Sequence, residues 1–245
     1  MLKYKSIGNH HFNFYNMATI HRMIATALVA ALLTTGDAQS PCPKMKDTDG
    51  NVYPTVHIGS QCWTAEHLRT THDRNGNAIA AGNGKSADTP LRYAPNNDPA
   101  QVNTYGYLYN FAAALNACPY GWHLPSDAEW SQLTDCVSGQ PSCQCGNTES
   151  HVAKALASTK GWDSCDVECT PGNTPQQNNS TGFSVLPAGG YGNRFYSFGN
   201  GSAIWSSTEL DNSRAWKRYI DYNLPHVGRS NYLKEGGFSV RCVKD

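Results

Sequence analysis

The run CPYGWHLPSDAEW, Cys118 to Trp130, decides how the rest of the chain is read. It brings a thiol, an imidazole, a hydroxyl and two carboxylates close together, so it reads either as a catalytic site or as a structural joint. Ser126-Asp127-Ala128-Glu129 has the S-x-x-E form of a capping box. In that motif the serine hydroxyl accepts from the amide three residues on, and the glutamate reaches back to the cap amide. Trp130, Leu133 and Val137 then fall on one face of a helix, and Pro125 precedes the cap. Catalysis by Cys118 and His123 needs the two side chains to meet and a third group to orient the base. The capping box accounts for three of the polar residues without that demand, so the joint is the better reading. His123 stays unassigned.

Working outward, YGYLYNFAAALNAC places Leu108, Phe111, Ala112 and Leu115 at i, i+3, i+4 and i+7, which predicts an amphipathic helix ending near Asn116 and Pro119. Arg69 to Asn103 is rich in Gly, Asn, Asp and Pro and reads as a long surface loop pinned by Leu91 and Tyr93. Asp49-Gly50-Asn51 is turn chemistry, followed by short strand residues Val52, Val56 and Ile58. Asp47-x-Asp49-Gly50 lacks the later ligands of a calcium loop. Beyond a polar linker, Pro171 to Ser180, the chain alternates short strands with glycine turns. Phe183–Val185 and Ile204–Ser207 read as strands. Trp216, Arg218, Ile220 and Tyr222 share one strand face; Phe238, Val240 and Cys242 share a face of the last strand.

The chain has 245 residues, with Lys+Arg and Asp+Glu at 19 each, and that balance points to no nucleic-acid partner. Only 16% of residues are charged, while Gly (22) and Tyr (13) are plentiful, the profile of a loop-rich exported domain. Met23 to Thr35 is a short apolar run behind basic residues, with small residues at Gly36 and Ala38. This predicts a signal peptide over 1–38, cleaved near Ala38–Gln39, with translation starting at Met1, Met17 or Met23. No transmembrane segment remains after cleavage, because the run is short for a membrane anchor. A leader over 39–46 precedes a domain over 47–245. All nine cysteines follow the signal segment, and in an exported chain they read as disulfides, with at least one left over. A cysteine-rich insert, about 136–169, holds Cys136, Cys143, Cys145, Cys165 and Cys169 and a short helix near Glu149–Ser158. Disulfides are preferred there over zinc, since Cys143-x-Cys145 is an awkward chelate.

Six segments in order, DTDGNVYPTVHIGSQCWTAEHL, YGYLYNFAAAL, CPYGWHLPSDAEW, GFSVLPAGGY, WSSTE and GFSVRCVKD, resemble the Fibrobacter succinogenes major paralogous domain. The resemblance spans about Asp47 to Asp245. It implies a fold similar to the C-type-lectin-like and formylglycine-generating superfamily. That fold is an α+β domain, disulfide-stabilised, with two helices flanking a small twisted mostly antiparallel sheet and long loops. The resemblance also implies that the chain ends come together, and that Cys118, before the second helix, and Cys242, on the last strand, are the best disulfide pair. Cys62, before Trp63, departs from the family pattern; with Cys42 and Cys62 paired to each other and the insert sealing itself, one insert cysteine is unpaired.

For function the resemblance implies an exported surface or extracellular binding module, carbohydrate-binding or adhesive. The expected ligand-binding residues are Tyr191, Asn193, Arg194, Tyr196 and Trp205, in an aromatic and Gly-rich segment suited to stacking on sugar rings. The alternative is a structural or assembly module that displays loops to another surface protein. An enzyme like the formylglycine generators is disfavoured, since those need a close cysteine pair late in the chain and Cys242 stands alone there. The Glu-Pro-Asn and Gln-Pro-Asp loops of calcium-dependent lectins are missing, as are G-x-S-x-G and H-E-x-x-H motifs. No catalytic residue, cofactor or metal is assigned.

Overall fold

The structure, a computed structural model, describes residues 41–245. The expected signal peptide lies outside these residues. The stretch from Cys118 to Trp130 forms the joint its sequence predicts. Ser126 Oγ accepts from the Glu129 amide, and Glu129 accepts from the Ser126 amide and hydroxyl at 2.7 and 2.8 Å. From that cap a helix runs over Asp127–Ser138 with Trp130, Leu133 and Val137 buried. Each side chain of that kind contributes about 1.5–3 kcal/mol on burial.

The architecture is mostly β sheet with few helices, and three disulfides hold it. In chain order the strands are β1 Met45–Lys46, β2 Val52–Tyr53, β3 Thr55–Ile58, β4 Gln61–Thr64, β5 Ala80–Ala81, β6 Leu91–Tyr93, β7 Leu108–Tyr109, β8 Trp122–His123, β9 Ala188–Tyr191, β10 Phe195–Phe198, β11 Gly201–Glu209, β12 Arg214–Asp221, β13 Gly228–Leu233 and β14 Val243–Lys244. The helices are α1 Val102–Tyr105, α2 Phe111–Ala117, α3 Asp127–Ser138 and α4 Ala153–Leu156. They form a five-stranded sheet ordered β10-β9-β11-β12-β13, a four-stranded sheet β3-β4-β14-β8, a three-stranded sheet β5-β6-β7 and a ribbon β1-β2. Most pairs are antiparallel; β9–β11 and β5–β6 are parallel.

The largest sheet separates two apolar clusters. Ala203 and Trp205 point into one with Phe111, Tyr109, Phe238 and Val240. Ile204 and Ile220 point into the other with Trp63, Trp130, Phe183 and Val243. The period-two alternation of β11 feeds both. Trp130, from the opening run, packs 4.9 Å from Trp63 and edge-on to Phe183. Asp127, one residue past the cap, ties α3 to the sheet: it accepts from Arg218 at 2.8 Å and Arg229 at 2.9 Å.

Several sequence expectations change. The leader is not separate from the domain, because Met45 is buried and β1 pairs with β2 around the Asp47 turn. Asp47's carboxylate there accepts from Asn51 and from the Tyr53 hydroxyl. The helix after Tyr107 begins only at Phe111, where Asn110 caps it by accepting from the Ala113 amide. Its buried face is Phe111, Ala113, Ala114 and Ala117, which leaves Leu115 exposed and puts Leu108 in β7. The insert helix shrinks to α4. Pro171–Ser180 is docked rather than a free linker: Asn178 is buried and donates to the carbonyls of Ser158 and Pro171. Phe183 and Val185 are buried but lie outside the named strands.

Cys118–Cys242 and Cys42–Cys62 are disulfides, as expected. In the insert only Cys145–Cys169 forms. Cys136, Cys143 and Cys165 are unpaired, three free thiols where one was expected. Cys143 instead faces the Ser180 hydroxyl, and the Cys165 sulfur accepts from the Val167 amide.

Candidate functional site

The predicted ligand residues divide among three environments. Trp205 is not available to a ligand: it is fully buried, 4.6 Å from the Phe238 ring, and its Nε1 donates to the Tyr109 carbonyl at 2.8 Å. A tryptophan at the centre of the longest strand is where the core needs its largest side chain. Asn193 and Arg194 are exposed between β9 and β10, and Asn193 accepts from Lys85. Tyr191 and Tyr196 lie on opposite faces of the β9–β10 hairpin, because Tyr191 pairs with Phe195 and Tyr196 pairs with Gly190.

The Tyr191 face borders a hollow with Tyr93, Phe195, Gly82, Asn83 and Asn97. Its rings are largely spent on one another, with Tyr93–Tyr191 centroids at 4.2 Å and Tyr191–Phe195 at 4.8 Å. The Tyr93 hydroxyl is also used, donating to the Gly84 carbonyl.

The Tyr196 face borders a cavity of about 340 Å³ over β11, β12 and β13. Lys217, Tyr219 and Asp221 line it from β12, two residues apart and therefore on one face. Their neighbours are small. Gly201 pairs with Asp221, Ala203 with Tyr219, Gly228 with Tyr219 and Ser230 with Lys217. A Cβ at Gly201 would lie 2.3 Å from Asp221 Oδ1, and one at Gly228 would lie 2.0 Å from Tyr219 Cζ. The glycines therefore let the carboxylate and the phenol ring lie down on the sheet.

Among the described residues neither charge in this cavity has a hydrogen bond or ion pair. Lys217 Nζ sits 4.9 Å from the Tyr219 ring centroid and 5.3 Å from that of Phe238. Among the same residues, the hydroxyls of Tyr196 and Tyr219 also have no hydrogen-bond partner. Burial pulls the Lys217 ammonium down to about 8, against the pull of Asp221. Burial raises Asp221, with Lys217 and His226 opposing. Charged groups out of water cost free energy unless they are paired, and such perturbed groups in a cleft mark a candidate site. The alternation Lys217-x-Tyr219-x-Asp221 is a readable signal on the strand face opposite Trp216, Arg218 and Ile220.

Two other polar clusters are held by contacts within the fold. His123, between two carboxylates, bonds Asp245 through Nδ1 at 2.6 Å and Glu129 through Nε2 at 2.8 Å. Among the described residues Cys42, His57 and Cys62 have metal-ligand spacing, but both sulfurs are in the disulfide. No helix among the described residues is long and apolar enough to cross a membrane.

No curated protein and no solved structure matches the chain. The family model of the Fibrobacter succinogenes major domain matches residues 56–244, a span that includes the joint, the cavity and all of the two apolar clusters but Met45 and Tyr53, and the chain belongs to that family.

Proposed function

We propose that this protein is an exported, non-catalytic binding module and that its ligand is a carbohydrate held in the Tyr196–Tyr219 cavity. One observation carries the reading: a cation, an anion and two phenol hydroxyls, none with a hydrogen-bond partner among the described residues, converge on a cavity of about 340 Å³. Sugar hydroxyls both donate and accept, so they satisfy lysine and aspartate together, while the tyrosine rings supply apolar faces. Three disulfides and the apolar N-terminal run support an oxidising compartment outside the cytoplasm. The Cys118–Cys242 disulfide, which ties the end of α2 to the segment entering β14, favours a C-type-lectin-like ancestry for the fold. A docking role towards a surface protein is the second reading, favoured by the exposed Tyr120 and Val167.

A glycan-array screen of the oxidised, signal-free protein tests the first reading. Selective binding that Tyr219→Ala or Tyr196→Ala removes, with the fold intact, supports it. A folded sample that binds no glycan overturns it.

A further inference from the structure

The Lys217–Tyr219–Asp221 line has polarity, and that polarity selects among sugars. The three side chains alternate along β12, so Lys217 and Asp221 have their Cα atoms roughly 13 Å apart at 3.3 Å per residue. The Tyr219 ring lies between them, held down by the missing side chain at Gly228. Lys217 bends inward until Nζ is 4.9 Å from the Tyr219 centroid. Asp221 lies over Gly201 at the opposite end. The cavity therefore presents a donor-only cationic pole, a central aromatic surface and an acceptor-only anionic pole.

A ligand that satisfies all three carries an anion at one end, a saturated ring in the middle and hydroxyl donors at the other end. An α-amino acid does not qualify, since its charges sit on one carbon and cannot reach both poles. A neutral hexose meets Asp221 with its hydroxyls but gives Lys217 no counter-charge. A sulfate or phosphate ion meets Lys217 and leaves Asp221 unpaired. A hexuronic acid matches: its carboxylate projects from C5, and its vicinal hydroxyls at C2 and C3 lie across the ring. The ammonium–carboxylate hydrogen bond is stronger than its neutral counterpart, and a carboxylate accepts a diol through two oxygens.

Resting on the carbohydrate reading above, we propose that the cavity selects uronic-acid units, with the sugar carboxylate on Lys217, the ring against Tyr219 and a vicinal diol on Asp221. Burial that weakens the charged forms of both residues adds to the gain when a ligand neutralises them.

The test is calorimetric titration of the oxidised protein with oligogalacturonate, oligoglucuronate and oligomannuronate, and with the carboxyl-reduced, neutral form of each. The expected result is at least one acidic oligomer binding about tenfold or more tightly than its reduced form. Lys217→Gln should erase that difference by bringing the acidic affinity down to that of the neutral form, whereas Asp221→Asn should weaken both forms without erasing it. Circular dichroism and thermal midpoints confirm that each variant is folded, and the wild-type comparison needs no variant. Neutral oligomers that bind as tightly as, or more tightly than, every acidic one overturn the uronic-acid assignment and leave the carbohydrate reading standing. Binding of no oligomer, acidic or neutral, together with an empty glycan array overturns both.

Discussion

Arg241 is a fully buried cation with no carboxylate in contact, and replacing it tests what holds the C-terminal segment in place. Its Nη1 donates to the carbonyls of Thr64 and Phe183 at 2.7 and 2.8 Å, and its Nη2 donates to that of Ser184 at 3.0 Å. The guanidinium carbon lies 4.7 Å from the Phe183 ring centroid. Burial pulls its pKa down to about 9, with only Glu66 opposing. Three charge-assisted hydrogen bonds are worth about 1.5–3 kcal/mol each, so the gross gain is roughly 5–9 kcal/mol. Keeping the cation out of water costs several kcal/mol of that. Arg241→Met removes both terms and leaves three carbonyls short of a donor, for an expected net loss of about 2–4 kcal/mol. Arg241→Lys should be at least as damaging although it keeps a charge. A single ammonium cannot span carbonyls on separate segments, and it still bears the desolvation cost. Urea unfolding under non-reducing conditions measures this, with midpoints expected to fall by about 1 M or more. A Met variant as stable as wild type would refute the reasoning, because desolvation would then cancel the hydrogen bonds. A near-wild-type Lys variant would show that charge alone suffices.

Other outcomes follow from the same geometry. Replacing Cys118 and Cys242 together by alanine should cost more than replacing Cys145 and Cys169: sequence separations of 124 and 24 give about 5 and 3 kcal/mol in the chain-entropy model, and calorimetry should rank them so. Alkylation of the denatured, non-reduced protein followed by mass spectrometry should label Cys136, Cys143 and Cys165; a single labelled thiol would contradict the bonding described. The His123 latch should be pH-dependent. Burial lowers the His123 pKa, but hydrogen bonds to Asp245 and Glu129 outweigh it, and the net shift is upward from 6.5. Its contribution is therefore complete below about 6.5 and is lost as pH rises through the raised value. Burial raises Glu129, but Ser126 and His123 outweigh it, and the net shift is downward from 4.5, so that contribution is lost as pH falls. The latch is tightest between these limits, and solvent screening holds it to roughly 0.5–1 kcal/mol. His123→Gln should flatten the stability–pH curve in this range, and an unchanged curve would remove the latch from the account.

How much could be read beforehand depended on how local the determining forces are. The capping box at Ser126 and the Trp130 face were legible because both are written within one helix turn or two. The helix at Phe111 was legible in kind but not in register: its alanines fit two faces, and Asn110 set the start. The role of Trp205 was misread, since aromatic richness near a glycine segment does not say which ring the sheet will cover. What covers the Lys217 face is illegible in the sequence for a related reason. Nothing in β12 alone shows that Phe238 and Tyr196, distant in sequence, come to rest over it. The resemblance carried the Cys118–Cys242 pairing, but three insert thiols stayed separate because each found a neighbour other than sulfur.

β14 is short, yet its four-stranded sheet depends on it. Val243 lies between Trp63 of β4 and His123 of β8, so the last strand of the chain is an interior strand of its sheet. An interior strand cannot be supplied late at little cost: until it arrives, β4 and β8 have no partner on their facing edges. Displacing β14 therefore opens two strand edges at once, and β3-β4 and β8 lose the strand that joins them.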